Sequence, residues 1–189
     1  MSWFLLCLLA GVLSLAPAAV AQYAMPPANG AAMRDMLFNV FIRVALVEEG
    51  SKLLMLSIIL RISGKLLKPG GEDGYGFTYG TASGLIVGLG FAMIESASYG
   101  ASDMRVAVLR AFTAAPLHGA CGARDGMAAA ALKSDPRLAI WRFLSATVIH
   151  GMYNMLVVSP GYIQFFSILL SFASLFSVMR LLFKKEKAL

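Results

Sequence analysis

The sequence predicts an all-α integral membrane protein, a polytopic bundle of five or six transmembrane helices, and three observations carry that reading. Of the 189 residues, 59% are hydrophobic and only 14% are charged, against roughly 25% charged in an ordinary soluble domain. Mean hydropathy is +0.75. The apolar residues gather in runs of about 20, the length that crosses a hydrocarbon core about 30 Å thick. In lipid only helices and closed barrels satisfy their own backbone hydrogen bonds, so these runs are read as helices, and a chain this long has no room for a separate soluble domain.

Taken in order, residues 1–21 are a signal peptide or a first transmembrane helix. The apolar stretch closes on Ala19-Val20-Ala21 before Gln22, the small-residue pattern of a secretory cleavage site, although no Lys or Arg precedes it. Segment 22–35, with Pro26, Pro27 and Gly30, is read as an extracytoplasmic loop. Residues 36–183 form the membrane-embedded domain, with spans at 36–60, 76–99, 105–132, 138–159 and 162–183, and residues 184–189 form a basic tail. Arg61, Lys65, Lys68, Lys133, Arg137, Arg142, Lys184, Lys185 and Lys187 fall on one side of these spans and Arg34 and Arg105 on the other. The positive-inside rule then puts loop 61–75 and the C-terminus in the cytoplasm and segment 22–35 outside. The same distribution explains the net charge of +6 by topology and excludes nucleic acid as a partner; the bilayer is the surrounding solvent. Cys7 and Cys121 stand far apart in apolar segments, which leaves neither a disulfide framework nor a CxxC metal site.

Two spans carry small residues at four-residue intervals. Gly76, Gly80, Gly84, Gly88 and Ala92 mark the third, and Gly122, Gly126 and Ala130 the fourth. Such ridges let helix backbones approach closely, and packing is their expected role. Turned outward, one ridge would also serve a dimer, so oligomeric state stays open.

Against this apolar background a few polar residues stand inside spans: Glu48, Glu49 and Lys52 in V-E-E-G-S-K, Glu95 in F-A-M-I-E-S-A-S-Y, His118, and His150 with Asn154 in H-G-M-Y-N. Each carboxylate near a helix centre opposes insertion by about 2.5–3.5 kcal/mol unless paired or hydrated. At about 1.5 Å rise per residue, Glu48 lies about 18 Å from the outer end of its span, His118 about 20 Å, His150 about 13 Å, and Glu95 and Asn154 about 6–8 Å. Four helices therefore present polar groups in one slab on the outer side of the midplane. Residues four apart share a helix face, which pairs His150 with Asn154, aligns Phe91, Glu95 and Tyr99, and sets Lys52 to neutralise one acid of the Glu48–Glu49 pair.

The chemistry such a set suits is hydrolysis. Glu48 or Glu49 is the candidate general base for a water; adjacent carboxylates diverge by about 100° on a helix, so one acts while the other organises Lys52 or Arg43. Glu95 is placed to share a proton with the base, and His118, His150 and Asn154 to polarise a scissile carbonyl and stabilise its oxyanion. Glu49, Glu95, His118 and His150 also suffice as candidate ligands for a catalytic zinc with an open position for water. No HExxH motif accompanies them, so zinc and a metal-free glutamate mechanism both stand. Arg110, Arg124 and Asp125 read as structural or interfacial partners and Cys121 as core filler.

The ordered set E-E-G-S-K at 48–52, G-F-A-M-I-E-S-A-S-Y at 90–99, Arg110 with His118, and H-G-M-Y-N at 150–154 resembles the PrsW family of intramembrane proteases, distant relatives of the CAAX-processing and bacteriocin-processing superfamily. The likeness covers about residues 40–160. It implies a multi-pass protease of a bacterial inner (cytoplasmic) membrane that cuts a membrane-anchored protein, an anti-sigma factor in the family's best-known role, on its extracytoplasmic side as the first step of a signalling cascade. It implies further that Glu48 and Glu49 are the acids of an E-E-x-x-K motif with Lys52 as partner, that Glu95 belongs to an F-x-x-x-E motif, and that His150 and Asn154 match oxyanion-stabilising residues of the wider superfamily. Ser96 stands where Asn commonly follows the motif acid, and the chain is shorter than many relatives. The readings from other classes are a small ion-coupled transporter or an immunity-type binding protein on the same scaffold, and cleavage of a lipid-linked substrate. A transporter would more often show discontinuous helices or two matching halves, and neither is evident.

Overall fold

The computed structural model describes residues 2–30, 32–62 and 75–186. Lys65, Lys68, Lys187 and most of loop 61–75, which carry part of the topology argument, lie outside the described residues, as do the side chains of Lys184 and Lys185. Among the described residues the chain is helical with no strand. An apolar rod runs through α1 (Trp3–Leu13) and α2 (Leu15–Ala24). Pro17 has no N–H to give the carbonyl of Leu13, and the helix breaks there at Ser14. Next come α3 (Met33–Leu37), a π-helical stretch (Phe38–Leu46) and α4 (Val47–Ile62), which form one continuous segment. The bundle is completed by α5 (Tyr75–Gly100), α6 (Met104–Ala131), α7 (Pro136–Val158) and, after a short 3-10 turn, α8 (Phe165–Glu186). Side chains of Asp103 and Asp135 accept from Arg105 N and Leu138 N at the starts of α6 and α7, and Pro136 occupies a first-turn position where its missing N–H costs nothing.

The fold class is the one the composition demands. On length and apolarity alone, Trp3–Ala24, Gly76–Gly100 and Gly161–Phe183 are able to cross a membrane; the other long helices carry most of the charged residues. The loop read at 22–35 is shorter than expected. Helix α2 continues to Ala24, with its end held by partners of Gln22 and Met25 described below, and α3 begins at Met33. Nothing in the sequence anticipated the π-helix, which directly precedes the E-E motif.

Helices α5 and α6 form the centre. Cβ atoms placed on Gly80, Gly84 or Gly88 would run into the backbone at Gly126, Gly122 and His118, and Cβ atoms on Gly122 and Gly126 would strike Gly84 and Gly80 in return. The two backbones are thus in direct contact along the ridge, as small-residue spacing allows. Gly76 is the exception, with nothing within 4 Å. On another face of α5, Gly90 meets the backbone of Leu8, and Gly11 meets that of Val87, which seats α1 just as closely. Cys7 and Ala10 of α1 are buried with Leu56, Ile59, Leu60, Ile86 and Val87. Cys121 is buried, as a core filler should be, with its thiol 3.5 Å from Ala146 O.

Candidate active site

Glycine contact between α5 and α6 ends at His118, whose carbonyl meets Gly88, and there the polar cluster begins. The first two motif acids stand side by side on α4 and face different partners. Glu49 is fully buried and saturated on one oxygen: Oε1 accepts from Lys52 Nζ at 2.7 Å and from His150 Nδ1 at 2.5 Å. Its second oxygen has no hydrogen-bond donor, and the buried carboxyl of Asp125 lies beside Glu49. Glu48 accepts from Gln22 Nε2 on Oε1 at 3.2 Å. Its Oε2 is buried without a hydrogen-bond partner and lies 3.8 Å from His150 Nε2.

Lys52 is 0% exposed and links the motifs. Besides Glu49 it reaches His118 Nδ1 at 2.9 Å and sits 4.3 Å from the centre of the Phe91 ring, a cation–π placement. An ammonium offers only donors, so His118 Nδ1 accepts and the proton of the neutral ring is on Nε2. That nitrogen is 2.8 Å from Glu95 Oε2, an ion-pair distance without hydrogen-bond alignment, since Glu95 Oε2 counts among the buried oxygens with no donor. Glu95 Oε1 meets Arg110 Nη2 at 2.6 Å, and the Arg110 guanidinium lies 4.1 Å from the centre of the Tyr99 ring. The two imidazoles pack edge to face with centroids 4.8 Å apart.

The structure therefore brings Glu48, Glu49, Lys52, Glu95, His118 and His150 into one cluster drawn from four helices. Asn154 is half-buried one turn beyond His150, and no hydrogen bond ties it to the cluster among the described residues. The face Phe91–Glu95–Tyr99 serves as the spacing suggests, each member touching a cluster residue. The structure also fixes partners that spacing left open. Glu95 meets Arg110 through Oε1 and lies 2.8 Å from His118 Nε2 through Oε2. Of the two cations named for the second acid, Glu49 takes Lys52, and Arg43 donates through Nε to Met25 O at 2.7 Å and through Nη2 to Gln22 O at 3.2 Å. Arg110 and Asp125, read from the sequence as structural or interfacial partners, are partners of Glu95 and Glu49 within the cluster. Their spacing offered a sign, since residues eight before and seven after His118 share its helix face. Gln22 gave none, because its helix read equally as a removable leader.

Glu48, His118 and His150 also present ligand atoms within 4.8 Å of one another. This donor set fits a divalent cation. Glu48 Oε2 is an orphaned buried oxygen, and His150, with Nδ1–H held by Glu49, directs a lone pair from Nε2, the carboxylate–histidine support typical of metal ligands. His118 joins such a set only by moving its proton from Nε2, against the ammonium at Nδ1.

A family model described as PrsW family intramembrane metalloprotease matches residues 1–180. No curated protein and no solved structure matches the chain.

Proposed function

Because the chain belongs to the PrsW family of intramembrane metalloproteases, and so is a membrane-embedded peptide hydrolase, we propose that it cuts a membrane-anchored protein near the extracytoplasmic side, with Glu48 taking the proton of the attacking water. One observation carries this reading. Glu48 Oε2 is buried, without a hydrogen-bond partner, and 3.8 Å from the free nitrogen of His150. A water about 2.8 Å from each atom gives one hydrogen to each and keeps an oxygen lone pair for the scissile carbonyl.

On attack the new C–O bond forms and one water proton passes to Glu48. His118 Nε2–H and the amide of Asn154 are the donors available to the oxyanion. Glu48 then returns its proton to the amide nitrogen, the C–N bond breaks, and the products are a carboxylic acid and an amine. Glu49 and Lys52 take no proton from substrate; they hold His150 and His118 in the tautomers this sequence needs. If a divalent ion is bound, Glu48, His150 and His118 would hold it, His118 giving up its oxyanion role to do so, and the ion would supply Lewis acidity and a more readily ionised water.

The substrate class follows from family resemblance: a single-span protein of the anti-sigma type, cut from outside a bacterial inner membrane. A cytoplasmic C-terminus accords with the nine-to-two asymmetry of basic residues. Protein reconstituted in liposomes with a single-span substrate is expected to yield two fragments whose new termini adjoin at one peptide bond of the intact substrate, identified by mass spectrometry, and Glu48→Gln is expected to yield none. Full cleavage by the Glu48→Gln/Glu49→Gln double variant would refute the proposal. Stoichiometric bound zinc with chelator-sensitive cleavage would add the ion, whereas undiminished cleavage after metal removal assigns the work to glutamate alone.

A further inference from the structure

Residues 1–21 end on a pattern that a leader peptidase would cut between Ala21 and Gln22, yet the structure ties the α1–α2 rod that contains them to the rest of the bundle. Three contacts do so, the first made within residues 1–21 and the other two by Gln22 and Met25 just beyond the cut. Gly11 and Gly90 bring α1 and α5 into backbone contact, a fit that no transient passenger requires. Arg43, from the π-helix that leads into the E-E motif, donates to the carbonyls of Gln22 and Met25 and so grips the C-terminal end of α2. Gln22 Nε2, finally, is the hydrogen-bond donor that Glu48 Oε1 has. Ala19, Val20 and Ala21 are themselves helical, whereas a peptidase must grip its target in extended form.

We propose that the α1–α2 rod is a permanent part of the enzyme and that Gln22 is a positioning residue for Glu48, holding one carboxylate oxygen so that the other faces His150. An amide suits this task. It fixes the rotamer through one hydrogen bond while adding no charge, so the opposite oxygen keeps its basicity; an arginine in its place would neutralise the group it positions. Arg43 is near enough to the end of α2 to have done this, but it is turned away to backbone carbonyls. Cleavage after Ala21 would also uncover Leu56, Leu60 and Val87, each no more than 1% exposed beside Cys7 and Ala10.

The inference rests on the reading of Glu48 as base, and its test separates the two. The intact mass of C-terminally tagged, cleavage-competent protein from membranes is expected to include residues 1–21; active protein beginning at Gln22 would overturn the retention of the rod. For positioning, Gln22→Ala is expected to lower kcat about tenfold, the scale of one hydrogen bond to a charged group, with KM and melting temperature nearly unchanged. Gln22→Glu, which brings a second carboxylate and no donor, is expected to fall further. A purely structural side chain would lower the melting temperature and leave kcat per folded molecule intact, and that result would overturn the positioning role. Wild-type kcat in Gln22→Ala together with an inactive Glu48→Gln defeats this inference alone, while an active Glu48→Gln defeats the reading beneath it.

Discussion

The glycine seam between α5 and α6 meets the polar cluster, which those two helices share with α4 and α7, at His118, yet the two regions hold together by opposite means. Along the seam, Gly80, Gly84 and Gly88 work through what they lack, and the carbonyls opposite occupy the space a Cβ would need. Each position in the cluster works through its partner, and beyond the local Glu49–Lys52 pair the partners are remote in sequence: Lys52 and His118 are 66 residues apart, Glu49 and His150 are 101. A seam needs one residue type at one interval. A charge network needs every member, since removing one leaves another buried and unpaired.

The contrast implies that the seam fails as a fold and the cluster fails as a catalyst. The largest expected effect is therefore on the seam: Gly84→Leu drives a branched side chain into the Gly122 carbonyl, beyond the about 1–3 kcal/mol of ordinary overpacking. Monodisperse protein should disappear from detergent extracts. Recovery of a folded variant at normal yield would mean that α5 and α6 separate more easily than their backbone contact implies.

Within the cluster the two adjacent acids should part company. Glu49→Gln leaves Lys52 buried without its carboxylate, at a cost of about 3–5 kcal/mol, and should lower the melting temperature as well as abolish cleavage. Glu48→Gln removes a charge whose Oε2 has no donor to lose, so it should abolish cleavage while the melting temperature holds or rises. Equal destabilisation by both would erase the distinction between a holding acid and a working one. A smaller loss is expected for Arg110→Gln, which frees Glu95 Oε1 and loosens His118 at second hand: about 10–100-fold in activity, the usual range for a residue that orients an active one, read as cleavage rate per folded molecule.

The sequence disclosed the two regions unequally, for the same physical reason. Helices and seam are matters of local pattern, an apolar run of given length and a small residue every fourth position, and both were legible. The membership of the cluster was legible too, since Glu48, Glu49, Lys52, Glu95 and both histidines are conspicuous where charge is expensive. The pairing was not. That Glu49 rather than Glu48 takes Lys52, that Arg110 rather than another acid meets Glu95, and that Arg43 turns to the carbonyls of α2 depend on which faces the assembled helices present to one another. The π-helical turns at Phe38–Leu46 left no trace in residue type, and they alter the facing of everything after them on that segment.

Gly76 offers the finest test of the comparison, because spacing and structure disagree about it. By interval it is the first member of the ridge; by contact it has open space where a Cβ would go. If the seam acts through excluded atoms, Gly76→Ala should be neutral or slightly stabilising, since alanine gives up less backbone freedom than glycine on entering a helix, by about 0.5–1 kcal/mol in a helix interior and less at the first turn. The identical change at Gly80 puts a methyl against Gly126 O and Ala130 and should lower the melting temperature measurably. Measured side by side in one detergent, the two alanine variants separate position from interval. A matching loss at Gly76 would mean that the repeat itself, through a contact such as a second copy of the chain, is what the helix requires.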